Sequence, residues 1–116
     1  MIESNLLERV ECYAVQITPE YEWMEGGCSR DVLVRGNMLV ANGGGVWLAG
    51  NNGARKPLPA DSHRNVAITG NTISGSLNGI RVVGCTGLDL RGNVVTPSSH
   101  PEAVDIVLKN VADVKR

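Results

Sequence analysis

The sequence predicts an all-β chain, a single-stranded parallel β-helix of about four coils. Three observations predict it. Asn65-Val-Ala-Ile-Thr-Gly-Asn71-Thr-Ile73 is echoed 22 residues later by Gly87-Leu-Asp-Leu-Arg-Gly-Asn93-Val-Val95. The same template occurs earlier as Val32, Val34, Gly36-Asn37 and Leu39. A second alternating unit follows each Asn: Val15-x-Ile17, Val46-x-Leu48, Ile80-x-Val82 and Val104-x-Ile106. Such short alternations read as half-buried strands. Strands this short bury a face only when stacked on their own copies, about 4.8 Å apart. An antiparallel sandwich with Gly-Asn turns would not explain the constant offset of Gly-Asn from two apolar residues. An Asn column at Asn5, Asn37, Asn71 and Asn93 is expected to act as a structural ladder. Asn tolerates the left-handed backbone, and its amide can bond the next Asn in the stack.

Taken in order, the first strand pattern lies around Leu7 and the next at Tyr13 to Ile17, with Gln16 facing out. Residues 18–30 form a long connection carrying Glu20, Glu22, Trp23 and Glu25. Residues 31–48 make the next coil, with Trp47 facing out. Residues 49–64 are a second long loop, rich in turn chemistry at Asn51-Asn52-Gly53 and two prolines. Residues 65–96 are the most regular part, Pro97 to Pro101 a short bend, and Glu102 to Leu108 the last full strand, with Asp105 outward. In the tail, Ala112 and Val114 take the places of Leu88 and Leu90. The chain starts and ends partway through a turn, without a polar cap. That predicts one domain over residues 1–116, the C-terminal coils of a longer solenoid, or ends covered by another chain such as a second copy.

Composition narrows the function. A net charge of −1 gives no strong attraction to nucleic acid or anionic membrane. No apolar run approaches the length of a membrane span. The N-terminus lacks the basic start and apolar core of a signal peptide. Cys12, Cys28 and Cys85 show no metal-ligand spacing, and Cys12 and Cys85 read as small buried thiols. His63 and His100 sit in predicted turns, no phosphate loop is present, and neither metal nor cofactor is expected.

Chemistry is expected along one outward column, Gln16, Trp47, Arg81 and Asp105, beside the two long loops. Trp23 and Trp47 offer aromatic faces for a sugar ring, with Arg81 and Gln16 as further substrate-binding candidates. Glu22, Glu25 and Asp105 are the catalytic candidates, since glycoside hydrolysis generally needs two carboxyl groups at a set separation. Each has a plainer alternative: an Arg81–Asp105 surface ion pair, a Trp47 packed beneath a loop, a solvated Glu cluster.

The pattern Asn65-Val-x-Ile-x-Gly-Asn71-x-Ile73 with Gly79-Ile-x-Val82 resembles the right-handed parallel β-helix repeats of the pectate-lyase-like superfamily. A narrower stretch is similar to glycoside hydrolase family 110, bacterial exo-acting α-1,3-galactosidases built on a β-helix. Its matching positions are Trp23, Glu25, Gly27, Arg30, Asp31 and Asn37. The resemblance implies a carbohydrate-active protein, secreted or periplasmic, with its catalytic coils upstream. A glycan-binding module without catalysis and a structural solenoid segment are the alternatives.

Overall fold

The computed structural model describes residues 1–18, 28–50 and 57–116. Glu20, Glu22, Trp23, Glu25 and the Asn51-Asn52-Gly53 turn lie outside the described residues. The strands are β1 (Ile2–Glu3), β2 (Leu6–Glu8), β3 (Tyr13–Ile17), β4 (Arg30–Arg35), β5 (Met38–Val40) and β6 (Gly44–Leu48). They continue with β7 (His63–Thr69), β8 (Thr72–Ser76), β9 (Asn78–Asp89), β10 (Val94–Pro97) and β11 (Val104–Lys115). Among the described residues there is no helix, and every strand pairing is parallel.

The strands are short because the apolar alternation is short, so each is stabilised by its equivalent in the neighbouring repeat. Leu7, Leu39, Ile73 and Val95 stack in the four-stranded sheet β2-β5-β8-β10. Val15, Val46, Ile80 and Ile106 stack where β3, β6, β9 and β11 run side by side. Val32, Val66, Leu88 and Val114 stack in β4, β7, β9 and β11. The last two stacks share β9 and β11, so they form one curled seven-stranded sheet. β9 changes direction at Gly84 (φ 73°) and β11 at Asn110 (φ 53°). The inward residues of all three stacks, except the exposed Val114, meet in one core, in which Val34, Leu39, Ile80 and Val82 are fully buried. Each such aliphatic side chain contributes on the order of 1.5–3 kcal/mol of transfer free energy, before entropy is set against it.

The corner before each β2-type strand carries the Asn column. Asn37 Oδ1 accepts from the backbone N–H (2.9 Å) and side-chain amide (3.1 Å) of Asn5. Asn71 Oδ1 accepts the same pair from Asn37, both at 3.0 Å, and Asn93 Oδ1 the same pair from Asn71, again both at 3.0 Å. The second amide hydrogens turn back to carbonyls: Asn37 to Ile2, Asn71 to Val34, and Asn93 to Ile68 and Leu90. The preceding position, Ser4, Gly36, Gly70 and Gly92, has φ of 56°, 64°, 62° and 78°. Glycine enters that left-handed bend without the Cβ penalty, which explains the Gly-Asn signature. Asn42 repeats the device at another corner: it accepts from Val10 N–H and donates to the Leu7 carbonyl.

Two expectations are corrected by the register. β11 places Ile106 and Leu108 beside Ile80 and Val82, so Ile106-x-Leu108 is the inward pair rather than Val104-x-Ile106. Val104 pairs with Asn78 instead. The tail is likewise two residues out of phase, with Val114 rather than Ala112 beside Leu88. Cys12 is exposed, not a buried thiol, whereas Cys85 is buried inside β9.

Candidate functional site

Where β3, β6, β9 and β11 lie side by side, period-two alternation puts every second side chain on the outer face. Gln16 pairs with Trp47, and Trp47 with Arg81. The next residue in this row is Val107, not Asp105. Asp105 lies one strand position before the inward Ile106 and accepts the Ile106 N–H on its own carboxylate at 2.9 Å. The Arg81–Asp105 ion pair considered from the sequence is absent among the described residues.

A cleft of about 330 Å³ opens over this row. Gln16, Trp47 and Arg81 line it together with Thr18, Val83 and Lys109, and Ala49, Gly50 and Pro57 belong to the second loop. Three of the four expected substrate-binding residues are thus brought together. The fourth, Trp23, and the catalytic candidates Glu22 and Glu25 lie outside the described residues. No Asp or Glu is among the described residues that line the cleft.

Trp47 is set by its neighbours along the stack. Tyr13 stands in register with Gly44, and a Cβ at Gly44 would clash with the Tyr13 ring. The missing side chain lets the Tyr13 ring lie across the strand, 4.3 Å from the Trp47 ring between centroids and tilted by 40°. The Tyr13 hydroxyl accepts from Asn78 Nδ2 at 3.4 Å. From the following repeat, the Arg81 guanidinium carbon sits 5.9 Å from the Trp47 centroid, within reach of a cation–π attraction. Gln16 donates its amide to the Thr18 hydroxyl at 3.1 Å. Trp47 Nε1 and Arg81 Nε are buried with no hydrogen-bond acceptor among the described residues.

The wall from the second loop is fastened by its returning end. Leu58 is buried against Gly84, its carbonyl accepts from Asn110 Nδ2 (3.0 Å), and the Ala60 carbonyl accepts from the Thr86 hydroxyl (2.6 Å). This part of the loop therefore packs on the stack rather than projecting from it. His63 is fully buried at the start of β7, not in a turn, and its Nδ1 accepts the Ser29 N–H at 3.0 Å. One imidazole thus joins the return of the first loop to that of the second. Burial lowers the His63 pKa below its ordinary 6.5, opposed in part by the Ala49 backbone. Because Nδ1 must be bare to accept, the neutral ring carries its proton on Nε2.

A second hollow of about 240 Å³ lies between Asn65, Asp89, Asp113 and Lys115. Arg91 engages Asp89 at 2.8 Å and holds its pKa down to about 2. No grouping of potential metal ligands occurs among the described residues.

Sequence reasoning missed Thr18, Lys109 and Tyr13. Lys109 pairs with Val83, a placement hidden by the two-residue phase error in β11. The available signal for Tyr13 was its place two residues before Val15, matched by Gly44 before Val46 and Asn78 before Ile80. Comparison with protein-family models, curated proteins and solved structures finds no match.

Proposed function

We propose that this chain is a right-handed parallel β-helix whose outer cleft binds carbohydrate. Supporting the solenoid are the parallel pairing of each strand with its equivalent one repeat away and the continuous Asn ladder. Right-handedness follows the general preference of parallel crossovers. The likeness to pectate-lyase-like repeats rests on the same pattern.

The observation that carries the functional reading is the row Gln16, Trp47, Arg81 at the base of one cleft. An indole edge with amide, hydroxyl and guanidinium groups around it suits a sugar, which presents apolar C–H surface and a ring of hydroxyls. Binding is the reading that the described lining supports by itself, whereas hydrolysis needs paired carboxyl groups from outside it. The α-galactosidase-like reading depends on Glu22 and Glu25.

The test uses the Trp23→Phe variant, in which Trp47 is the single indole. Titration with a panel of glycans should give a saturable change in emission with at least one, and no release of reducing ends. A flat response to the whole panel refutes glycan binding at Trp47. Sugar release that is lost in Glu25→Gln replaces binding by catalysis.

A further inference from the structure

We propose that the two open ends of the stack bind each other, so that a second copy of this chain docks head to tail and continues the stack. This rests on the parallel register of the strands and not on the carbohydrate reading above. Three series of hydrogen bonds run along the stack, and each stops at one end with the half that the other end lacks. In the Asn ladder each rung gives its N–H to the Oδ1 of the next: Asn5 to Asn37, Asn37 to Asn71, Asn71 to Asn93. Among the described residues the Asn93 N–H therefore has no acceptor and Asn5 Oδ1 no donor. The spare amide hydrogen of Asn93 folds back on the Leu90 carbonyl at 2.8 Å, where Asn37 and Asn71 reach the next rung instead. The rung carbonyls form the second series. Asn5, Asn37 and Asn71 accept from the N–H of Met38, Thr72 and Val94 at 2.8, 2.9 and 2.9 Å, which leaves Asn93 as the last carbonyl and Leu6 as the first N–H. The third series runs from the N–H of Ser4, Gly36 and Gly70 to the carbonyls of Arg35, Thr69 and Arg91, each at 3.2 Å. It leaves the Gly92 N–H at one end and the Glu3 carbonyl at the other.

A copy placed one repeat beyond Asn93 joins all three series at once. The Asn93 N–H meets the second copy's Asn5 Oδ1, the Asn93 carbonyl its Leu6 N–H, and the Gly92 N–H its Glu3 carbonyl. Unpaired parallel edges of this kind are templates for another strand. Side chains follow the same register. Leu7, Leu39, Ile73 and Val95 are one column and Val15, Val46, Ile80 and Ile106 another, so the second copy's Leu7 and Val15 cover Val95 and Ile106, which are half-buried at the open end. On the outer face Leu6 is 59% and Val94 61% exposed, and the joint makes them neighbours. Charge agrees. Glu3, Arg35, Thr69 and Arg91 follow one another along the stack, and Glu3 meets Arg35 one repeat away at 2.6 Å. Arg91, bonded to Asp89, ends the column open to a second Glu3. The phase also fits. Lys115 pairs with Asp89, which stands in register with Ala67 and so with Leu33, one place before the Ile2 partner Val34. Lys115 and Arg116 are thus the equivalents of Met1 and Ile2, and only these two exposed residues must yield to the docking copy. The contact joins two different surfaces, so it propagates as an open chain of copies.

The experiment has two arms, both on the full chain. Sedimentation velocity from about 1 µM to about 1 mM should show the average mass rising at least twofold above 12.3 kDa. The second arm reads the register. In a Cys12→Ser/Cys28→Ser background, Leu6→Cys and Val94→Cys are made separately and together, checked for folding by circular dichroism, and oxidised with diamide. Within one chain the two positions are separated by the strands of Met38 and Thr72, too far apart for a disulfide. Each single variant should stay monomeric, the two singles mixed should give a linked dimer, and the double variant should give a ladder of multimers. Replacing Val94→Cys by Thr96→Cys, two residues out of register, should cut the mixed dimer about fivefold or more. A chain that keeps the monomer mass up to about 1 mM overturns the proposal. So do single variants that link to themselves as readily as to each other, which would show like ends pairing. Neither result touches the carbohydrate reading of the cleft.

Discussion

Replacing Asn71 by alanine should be among the most destabilising single changes in the chain. Its side-chain amide uses its full capacity: Oδ1 accepts two hydrogen bonds from Asn37, and Nδ2 donates to Asn93 Oδ1 and to the Val34 carbonyl. Asn71 and Val34 are wholly buried and Asn37 is 2% exposed, so no water replaces what alanine removes. The Asn37 N–H loses its acceptor and the Val34 carbonyl loses this donor. Asn37 Nδ2 keeps its bond to Ile2, and Asn93 Oδ1 keeps the Asn71 N–H. One stranded N–H at about 1–3 kcal/mol, three further hydrogen bonds lost at about 0.5–1.5 kcal/mol each and a small cavity give roughly 3–6 kcal/mol. That is a large part of the 5–15 kcal/mol typical of a domain. Asn5→Ala is the internal control. Asn5 is exposed at the end of the ladder, and its side chain only donates, so its loss should cost about 1 kcal/mol. The assay is urea unfolding of both variants, followed by circular dichroism and tryptophan emission, whose transitions must coincide for the free energies to be compared. If Asn71→Ala falls within about 1 kcal/mol of Asn5→Ala, the ladder is not a buried network and the reasoning fails.

Two further outcomes are expected. The folded state keeps His63 neutral while the unfolded chain titrates near 6.5, so the stability it contributes is complete above that pH and is lost as pH falls below it. The urea midpoint should therefore drop between pH 7.5 and 5 (both about) in the parent and change less in His63→Gln, which keeps an acceptor for Ser29; equal slopes would contradict this. Burial pushes the Cys85 thiol up to about 11, whereas Cys12 is exposed. At mildly alkaline pH iodoacetamide should label Cys12 rapidly and Cys85 only after denaturation, as peptide mass spectrometry would show; comparable labelling of both in native protein would rule this out.

Much of the stacking was legible because apolar pairs and Gly-Asn recur at constant offsets. Val32, Val66 and Leu88 could be aligned without knowing how the chain turns between them, and each Asn37, Asn71 and Asn93 marks a corner. The phase of β11 was not legible for the opposite reason. Val104, Ile106 and Leu108 alternate without interruption, so any two of them match an inward pair, and only the pairing with β9 chooses. That one ambiguity put Asp105 into the outer row in place of Val107 and left Lys109 out of the cleft. Gln16, Trp47 and Arg81 were found because they sit at fixed places between well-phased inward residues. Leu58 and His63 were read as loop and turn, since their burial depends on the loop folding back over Gly84 and Ser29, contacts without local periodicity.

The ladder has a consequence for how such a chain can vary. Successive rungs are 32, 34 and 22 residues apart, yet their bond lengths hardly differ. Length is absorbed chiefly at the corner that holds the long loops in the first two repeats, a single Gly84 in the third and Asn110 in the fourth. Spacing along the sequence and spacing along the stack are thereby uncoupled. A peptide grafted in place of Gly84 or Asn110 would have to lift the Leu58 segment that packs there, but the strands on both sides of the insertion would stay fastened by their neighbours. The corner therefore behaves as a display port, where new surface is added at the cost of the Leu58 contact and not of the stacked strands.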